Sequence, residues 1–190
     1  MRTEQEFLVD VVERLNLAGV DYMLTGSMAS NYWGTPRTTH DLDFVVLLRP
    51  DQVDRFVSAF AVGFFIQRES VWSAIKPPHQ FNVLDMQSAL KADFWQLREN
   101  EFEREMFRRR LKVSAFGVVA WIATPEDVLL HKLHWNRMMP SERQLLDAAG
   151  IYAVQSTTLN LAYLRQWSER LLVSQELDDL TSGKLRPKAT

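Results

Sequence analysis

One segment constrains the fold of this 190-residue chain more than any other. It is the run "DLDFVVLL" at residues 41–48, which is wholly apolar after Asp43. A continuous apolar run rich in β-branched residues predicts a strand covered on both faces, and therefore a sheet inside a layered α/β protein. Asp41 and Asp43 alternate with Leu42, so we expect both carboxylates on the same side of that strand.

Composition excludes several classes of function. The formal net charge is −2, so no global basic field indicates a nucleic-acid partner. The sequence has no cysteine, which rules out disulfides, thiol nucleophiles and thiolate metal sites. The apolar stretches are too short to cross a bilayer, and the charged N-terminus lacks the apolar region of a signal peptide. We therefore expect a cytoplasmic protein without a membrane partner.

Apolar periodicity and turn residues divide the chain into a mixed first part and a helical second part. Strands are predicted at 20–24, 42–48, 63–66, 80–86, 90–95, 111–115 and 118–122, with a turn at 87–89. Helices are predicted at 4–17, 28–33, 51–60, 125–138, 141–153 and 158–172, and residues 97–110 form either a helix or a long loop. We expect an α/β core at 1–123 with a mixed sheet flanked by helices. A helical region at 124–180 packs on that core, and a flexible tail follows at 181–190.

A second acidic segment, "LKADFW", places Lys91 and Asp93 on one face of a predicted strand. If this strand neighbours the one bearing Asp41 and Asp43, three carboxylates converge, and such a cluster needs a neutralising cation. Carboxylate oxygens suit Mg²⁺, which commonly combines a few carboxylates with substrate phosphates. The alternatives are a solvated turn at residues 41–43 and an exposed ion pair between Lys91 and Asp93.

Gly26 and Ser27 lie where a predicted strand turns into a short helix. A glycine in such a turn lets backbone N–H groups approach a phosphate closely, and the helix directs its positive end to the same place. The serine adds a hydroxyl donor. The dipeptide alone is a weak signal, and its order ahead of the two aspartates gives it weight.

In this order and combination, the motifs resemble the nucleotidyltransferase superfamily that includes DNA polymerase beta and the kanamycin-type antibiotic nucleotidyltransferases. The segments "GSMASNYWGTPRTTHDLDFVV", "KADF" and "TPEDVLLHKLHWNR" resemble most closely its AbiEii-like and minimal nucleotidyltransferase branches. The resemblance covers about residues 20–150. Thirteen residues separate Ser27 from Asp41, a longer loop than is common in the antibiotic and minimal enzymes.

The resemblance implies a nucleotidyltransferase fold and a role for each motif residue. Asp41 and Asp43 would bind Mg²⁺ or Mn²⁺, and Asp93 would join them and activate an acceptor hydroxyl. Gly26 and Ser27 would hold the triphosphate of an NTP. Lys91 either neutralises phosphate charge or is a surface lysine.

Two further basic residues are candidates for contact with the nucleotide. Lys132 lies on or beside an apolar helical face, where it must meet an anion or extend to solvent. That anion is either a phosphate or a partner carboxylate, for which Asp147 and the acids of the sheet are candidates. Arg37 precedes the two aspartates, and either contacts phosphate or is solvated.

Other residues are assigned structural roles. Asp147 matches a further acid of the family or forms a buried ion pair between helices. His131 and His134 lack the spacing of a zinc motif, and we interpret them as surface or hydrogen-bonded histidines. Tyr32 and Trp33 could stack on a base, although packing in the core is the more common fate of aromatic side chains.

The leading hypothesis is an enzyme that moves a nucleoside monophosphate from an NTP to a hydroxyl acceptor and releases pyrophosphate. The acceptor is a small molecule, an RNA or a protein, and the sequence does not distinguish them. A second hypothesis is a toxin with the same chemistry and an antitoxin as partner. A third is a nucleotide-binding protein without turnover.

Overall fold

A computed structural model describes residues 2–77, 79–88 and 90–185. The predicted turn residue Ala89 and residues 186–190 of the predicted tail lie outside the described residues. The strands are β1 (Asp21–Thr25), β2 (Asp41–Leu47), β3 (Phe64–Phe65), β4 (Gln80–Asp85), β5 (Lys91–Gln96), β6 (Leu111–Ala115) and β7 (Val118–Ile122). The helices are α1 (Glu4–Ala18), α2 (Gly26–Trp33), α3 (Val53–Ala59), α4 (Arg68–Ser73), α5 (Glu101–Arg109), α6 (Pro125–Met138), α7 (Glu142–Gln155), α8 (Leu161–Arg170) and α9 (Ser174–Thr181).

The chain divides into two compact units. The first, here called the sheet unit, combines Met1–Thr25 with Thr38–Ile122. The second, here called the helical unit, combines Gly26–Arg37 with Ala123–Thr190. Helix α2 therefore belongs to the helical unit, although it follows β1 directly in the sequence.

The sheet unit is built on one mixed sheet. Over the residues that the structure describes, it has seven strands in the order β3-β4-β5-β2-β1-β7-β6. β2 pairs in parallel with β5, and β1 pairs in parallel with β7. The other neighbours are antiparallel. The predicted mixed α/β fold is thereby confirmed, and the two acidic segments lie on adjacent strands.

One face of the sheet is buried under aromatic side chains. Phe44 of β2 stacks on Phe94 of β5 with ring centroids 5.4 Å apart. Phe56 of α3 meets Phe94 edge to face at 5.4 Å, and Phe60 lies 6.0 Å from the same ring. Aromatic contacts of this kind add to the free energy gained from burying apolar area. This packing fixes β2 and β5 side by side and leaves the alternate residues of both strands on the opposite face.

The helical unit begins its main helix with a strong start signal. Thr124 caps α6 by accepting a hydrogen bond from the backbone N–H of Asp127, and Pro125 occupies the first turn. Asp127 also accepts a hydrogen bond from the Tyr163 hydroxyl, at 2.6 Å, which ties α8 to α6. Within this unit α6 packs against α7, and α2 contacts both.

No helix among the described residues combines the length and the apolar composition needed to cross a membrane.

Candidate functional site

Three aspartates come together in the sheet unit. Asp43 of β2 and Asp93 of β5 are direct partners in the parallel register, so their side chains leave the sheet on the same face. Asp41 lies two residues before Asp43 and shares that face. We call Asp41, Asp43 and Asp93 the acid cluster. The structure thus places all three predicted acids on one face of two hydrogen-bonded strands.

Lys91 supplies a positive charge to the acid cluster. It is the register partner of Asp41. Its Nζ lies 2.7 Å from Asp93 Oδ2 and 3.6 Å from Asp41 Oδ1. The hydrogen bond to Asp93 is the largest cause that raises the pKa of Lys91, and the charges of Asp93 and Asp41 add to it. The ion pair of Lys91 and Asp93, which the sequence offered as the alternative to a cation site, is present and extends to Asp41, but Asp93 is buried rather than exposed.

A polar row continues from the acid cluster onto the neighbouring strands. Thr25, the last residue of β1, is the register partner of Asp43, and Asn82 of β4 is the partner of Asp93. Thr25 and Asp93 are both buried, at 3% and 8% exposure. Within the described residues, neither Thr25 Oγ1 nor Asp93 Oδ1 has a hydrogen-bond partner. Because buried polar atoms are nearly always satisfied, two such atoms flanking Asp43 indicate a place for a ligand, an ion or water.

The resemblance implies a divalent cation, and the donor set can be tested against one. The cluster offers only carboxylate oxygens, which suit Mg²⁺ or Mn²⁺, and Asp93 Oδ1 has no competing partner in the described part of the chain. In the side-chain positions seen here, no group of three or more acidic or histidine residues among those described converges closely enough to hold a metal ion. The donors are thus of the type that suits a divalent cation, but in this arrangement they are not gathered around one, and Lys91 Nζ supplies the countercharge.

A second cluster lies within the helical unit and joins three of the predicted phosphate-binding residues. Asp147 of α7 accepts hydrogen bonds from Arg37 Nε at 2.7 Å and from Arg37 Nη2 at 2.9 Å. It also accepts one from Lys132 Nζ at 2.8 Å. Arg37 Nη2 donates to the Ser27 hydroxyl at 2.8 Å. We call these four residues the basic cluster.

Asp147 is the centre of the basic cluster. Burial alone would raise the pKa of this carboxyl, but the hydrogen bond from Arg37 and the charge of Lys132 outweigh burial, so the pKa lies below its ordinary value. The carboxylate therefore stays ionised and is held by two cations. The sequence left a phosphate, Asp147 and the acids of the sheet as alternative partners for Lys132, and in this structure the partner is Asp147.

Gly26 and the two aromatic residues of α2 have defined local roles. Gly26 has a φ of 61°, in the left-handed region that glycine adopts without strain. Trp33 donates its indole N–H to the backbone oxygen of Ala123 at 2.8 Å, and Tyr32 packs edge to face on it at 4.6 Å. Their structural interpretation is consistent with these contacts. His131 Nε2 accepts a hydrogen bond from Trp135 Nε1 at 2.8 Å.

The structure thus sorts the predicted residues into two groups. Asp41, Asp43, Asp93 and Lys91 meet on the sheet. Ser27, Arg37 and Lys132 meet through Asp147 in the helical unit, where Gly26 begins α2. Sequence reasoning missed Thr25 because threonine is an ordinary strand residue, and only the register with Asp43 reveals it.

Comparisons with known proteins bear on the fold. No protein-family model matches the sequence, and no curated protein shows significant similarity to it. Among solved structures, an antigenic nucleotidyltransferase-like protein from Paracoccidioides brasiliensis is similar, with a TM-score of 0.57 and 15% identity. The match covers 98% of this chain and 94% of that one.

A second similar structure is that of ANT(2'')-Ia in complex with adenylyl-2''-tobramycin, with a TM-score of 0.60 and 8% identity. That match covers 90% of this chain and 97% of the other. A solution structure of the antibiotic-resistance factor ANT(2'')-Ia gives a TM-score of 0.55 at 11% identity, and covers 92% of this chain and 96% of that one. At sequence identities this low, the TM-scores establish a shared fold but not a shared activity. The predicted nucleotidyltransferase-like fold is confirmed, and the AbiEii-like branch stays a prediction.

Proposed function

We propose that the protein is a metal-dependent nucleotidyltransferase, which moves a nucleoside monophosphate from an NTP to a hydroxyl acceptor. One observation carries the proposal: Asp43 and Asp93 are register partners on adjacent parallel strands, with Asp41 and Lys91 as the next pair. A stable sheet gains nothing from opposed carboxylates, since like charges directly opposite each other are destabilising. Their presence on a nucleotidyltransferase-like fold supports a role in binding a cation and its phosphate ligand.

In the proposed reaction, the acceptor hydroxyl oxygen attacks the α-phosphorus of the NTP. A new P–O bond forms to the acceptor, the bond from the α-phosphorus to the bridging oxygen breaks, and pyrophosphate leaves. Asp93 takes the proton of the hydroxyl at its buried Oδ1, for which the described residues offer no other hydrogen-bond partner. Asp41 and Asp43 would hold Mg²⁺ or Mn²⁺, which supplies charge neutralisation for the phosphates.

Four other residues are proposed to contact the triphosphate. Gly26 and Ser27 begin α2, where the first backbone N–H groups lack partners within the helix, and Ser27 adds a hydroxyl. Arg37 and Lys132 carry the positive charge that phosphate recognition needs. Asp147 keeps both side chains in one place through three short hydrogen bonds.

The proposed acceptor is a small molecule with a hydroxyl group. The similar structure of ANT(2'')-Ia is a complex with adenylyl-2''-tobramycin, an adenylylated small molecule. Aminoglycosides and simple polyols are therefore the first acceptors to test. RNA and protein acceptors are tested in separate arms of the same experiment. Transfer of label to either of them would contradict a small-molecule acceptor and favour the toxin hypothesis.

The test incubates the protein with each α-labelled NTP, Mg²⁺ and a panel of acceptors, and measures label transfer and pyrophosphate release. Asp43→Asn should lower the rate by at least about a thousandfold, because it removes a proposed cation ligand while keeping the side-chain shape. Asp51→Asn is the matched control, since Asp51 is an exposed aspartate outside the acid cluster. Nucleotide binding without transfer to any acceptor would contradict the proposal and favour a binding protein.

A further inference from the structure

Lys91 contacts carboxylates that would also contact a divalent cation. Its Nζ contacts two of the three carboxylates in the acid cluster, at 2.7 Å and 3.6 Å. A cation bound by the same carboxylates would meet the ammonium group at close range, and two positive charges that near each other repel. The carboxylates therefore cannot bind Lys91 and a divalent cation tightly at the same time.

The contacts of Asp93 show how the two partners divide the site. Its Oδ2 is bonded to Lys91, whereas its buried Oδ1 has no partner among the residues described. The lysine thus occupies Oδ2, which it would release when a metal ion binds, and leaves Oδ1 as the proposed proton acceptor. The side chain of Lys91 is 36% exposed, so it has room to swing away from the sheet.

We propose that Lys91 is a built-in counter-ion that competes with the divalent cation for the acid cluster. Without metal, its ammonium group offsets the repulsion between Asp41, Asp43 and Asp93. When a divalent cation binds, Lys91 leaves the carboxylates and becomes available to an incoming phosphate. This inference rests on the proposed function, because it takes the acid cluster to be the cation site.

The test measures Mn²⁺ affinity without nucleotide, by calorimetry and by electron paramagnetic resonance of the free ion. Lys91→Met keeps the length of the side chain but removes the charge, so it should bind Mn²⁺ roughly fivefold more tightly than the wild type. Lys91→Arg keeps a competing cation and should not gain affinity. Lys112→Met is the matched control, since it makes the same change on β6, at the edge of the sheet.

A second measurement uses the wild-type protein and so does not depend on the folding of a variant. Lys91 should be acylated slowly by an amine-reactive ester in the absence of metal, because its ammonium group is held in an ion pair. Saturating Mg²⁺ should raise its modification rate, read by mass spectrometry, while the rate of Lys112 stays constant.

The possible outcomes separate the inference from the proposed function. Equal Mn²⁺ affinity in the wild type and Lys91→Met would overturn the role of Lys91 and leave the proposed activity standing. The same gain in Lys91→Met and Lys112→Met would indicate a general charge effect and would also overturn it. If Mn²⁺ bound to no variant, and transfer activity were absent as well, the cation site itself would be contradicted.

Discussion

At the scale of single residues, the acid cluster lowers the stability of the fold in order to place three carboxylates together. Asp43 and Asp93 face each other across two strands, where like charges cost free energy. Lys91 offsets part of this cost through its contacts with Asp93 and Asp41. Selection for folding alone would not favour opposed carboxylates. The arrangement is therefore stronger support for a binding function than any single sequence motif.

Replacing Asp43 should therefore stabilise the metal-free protein. We expect Asp43→Asn to raise the free energy of unfolding by about 0.5 kcal/mol, because it removes one of two opposed carboxylates. Urea unfolding in the presence of a chelator measures the change. A loss of more than about 1 kcal/mol would show instead that the Asp43 carboxylate holds the fold together.

Replacing Thr25, whose side chain is uncharged, should also affect stability and cation binding differently. Its buried hydroxyl has no partner within the described chain, so Thr25→Val should leave the free energy of unfolding unchanged or raise it by up to about 1 kcal/mol. If the hydroxyl serves a hydrated cation, the same variant should bind Mn²⁺ more weakly. Calorimetry and urea unfolding on one sample separate the two effects.

Thr39→Val is the control for Thr25. Thr39 is also buried, but its hydroxyl donates to the backbone oxygen of Asp41 at 3.3 Å. Its replacement should cost about 1 kcal/mol of stability, since a made hydrogen bond is lost. Equal costs for the two variants would mean that the Thr25 hydroxyl is satisfied in solution by the protein itself.

At the scale of helices and strands, the sequence predicted the elements that carry strong periodicity or caps. α6 was found from Thr124, Pro125 and the acids that follow, and its observed start agrees. α4 and α9 were missed. Both are short, and neither has a side-chain hydrogen bond at its N-cap, so the sequence shows no start signal for them.

Two glycines set how closely α2 and α7 approach within the helical unit. A Cβ added at Gly34, just after α2, would lie 2.7 Å from the backbone nitrogen of Ile151. Gly34→Ala should therefore cost about 2 kcal/mol, because backbone atoms must separate to admit the methyl group. Circular dichroism during urea unfolding measures this loss.

Gly150→Ala is the comparison within the same contact. Its added Cβ would lie 3.2 Å from the Thr35 nitrogen, a milder approach, and Gly150 lies inside α7. The gain of about 1 kcal/mol in helix propensity should nearly cancel the crowding. The reverse ranking of the two variants would contradict the close contact at Gly34.

The ion pairs that Asp147 of α7 forms with Lys132 and Arg37 predict how the stability of the protein depends on pH. The folded pKa of Asp147 is depressed, so its stabilisation is present above the unfolded value near 3.8 and is lost as the pH falls through the folded value. Asp147→Asn leaves Lys132 and Arg37 without their carboxylate, and should cost about 3 kcal/mol at pH 7.

Urea unfolding of the wild type and Asp147→Asn across a pH series isolates this group. The difference in free energy of unfolding should be constant above about pH 5 and should shrink below about pH 4. Other depressed carboxyl groups affect both proteins alike and cancel in the difference. A gap that persists unchanged at low pH would show that Asp147 acts through packing rather than charge.

At the scale of the whole molecule, the sequence predicted the fold class and the members of the acid cluster but not their register. The alternation of side chains along a strand predicted that Asp41 and Asp43 share one face. It did not predict which residue of the strand bearing Asp93 would lie opposite each of them. That Lys91 stands opposite Asp41, and Thr25 opposite Asp43, depends on strand pairing, which long-range packing of residues such as Phe44 and Phe94 decides. Local patterns carry no information about that pairing.

Ligand binding offers a prediction for the molecule as a whole. A ligand present at about 100 times its Kd stabilises the folded state by about 2.7 kcal/mol. For a chain of this size, that should raise Tm by about 5–10 °C. We therefore expect Mg²⁺ together with a non-hydrolysable NTP to raise the Tm of the wild type by this amount in differential scanning calorimetry. Asp51→Asn should show the same shift and Asp43→Asn a much smaller one, because only the latter loses a proposed cation ligand. An equal shift in both variants would place nucleotide binding outside the acid cluster.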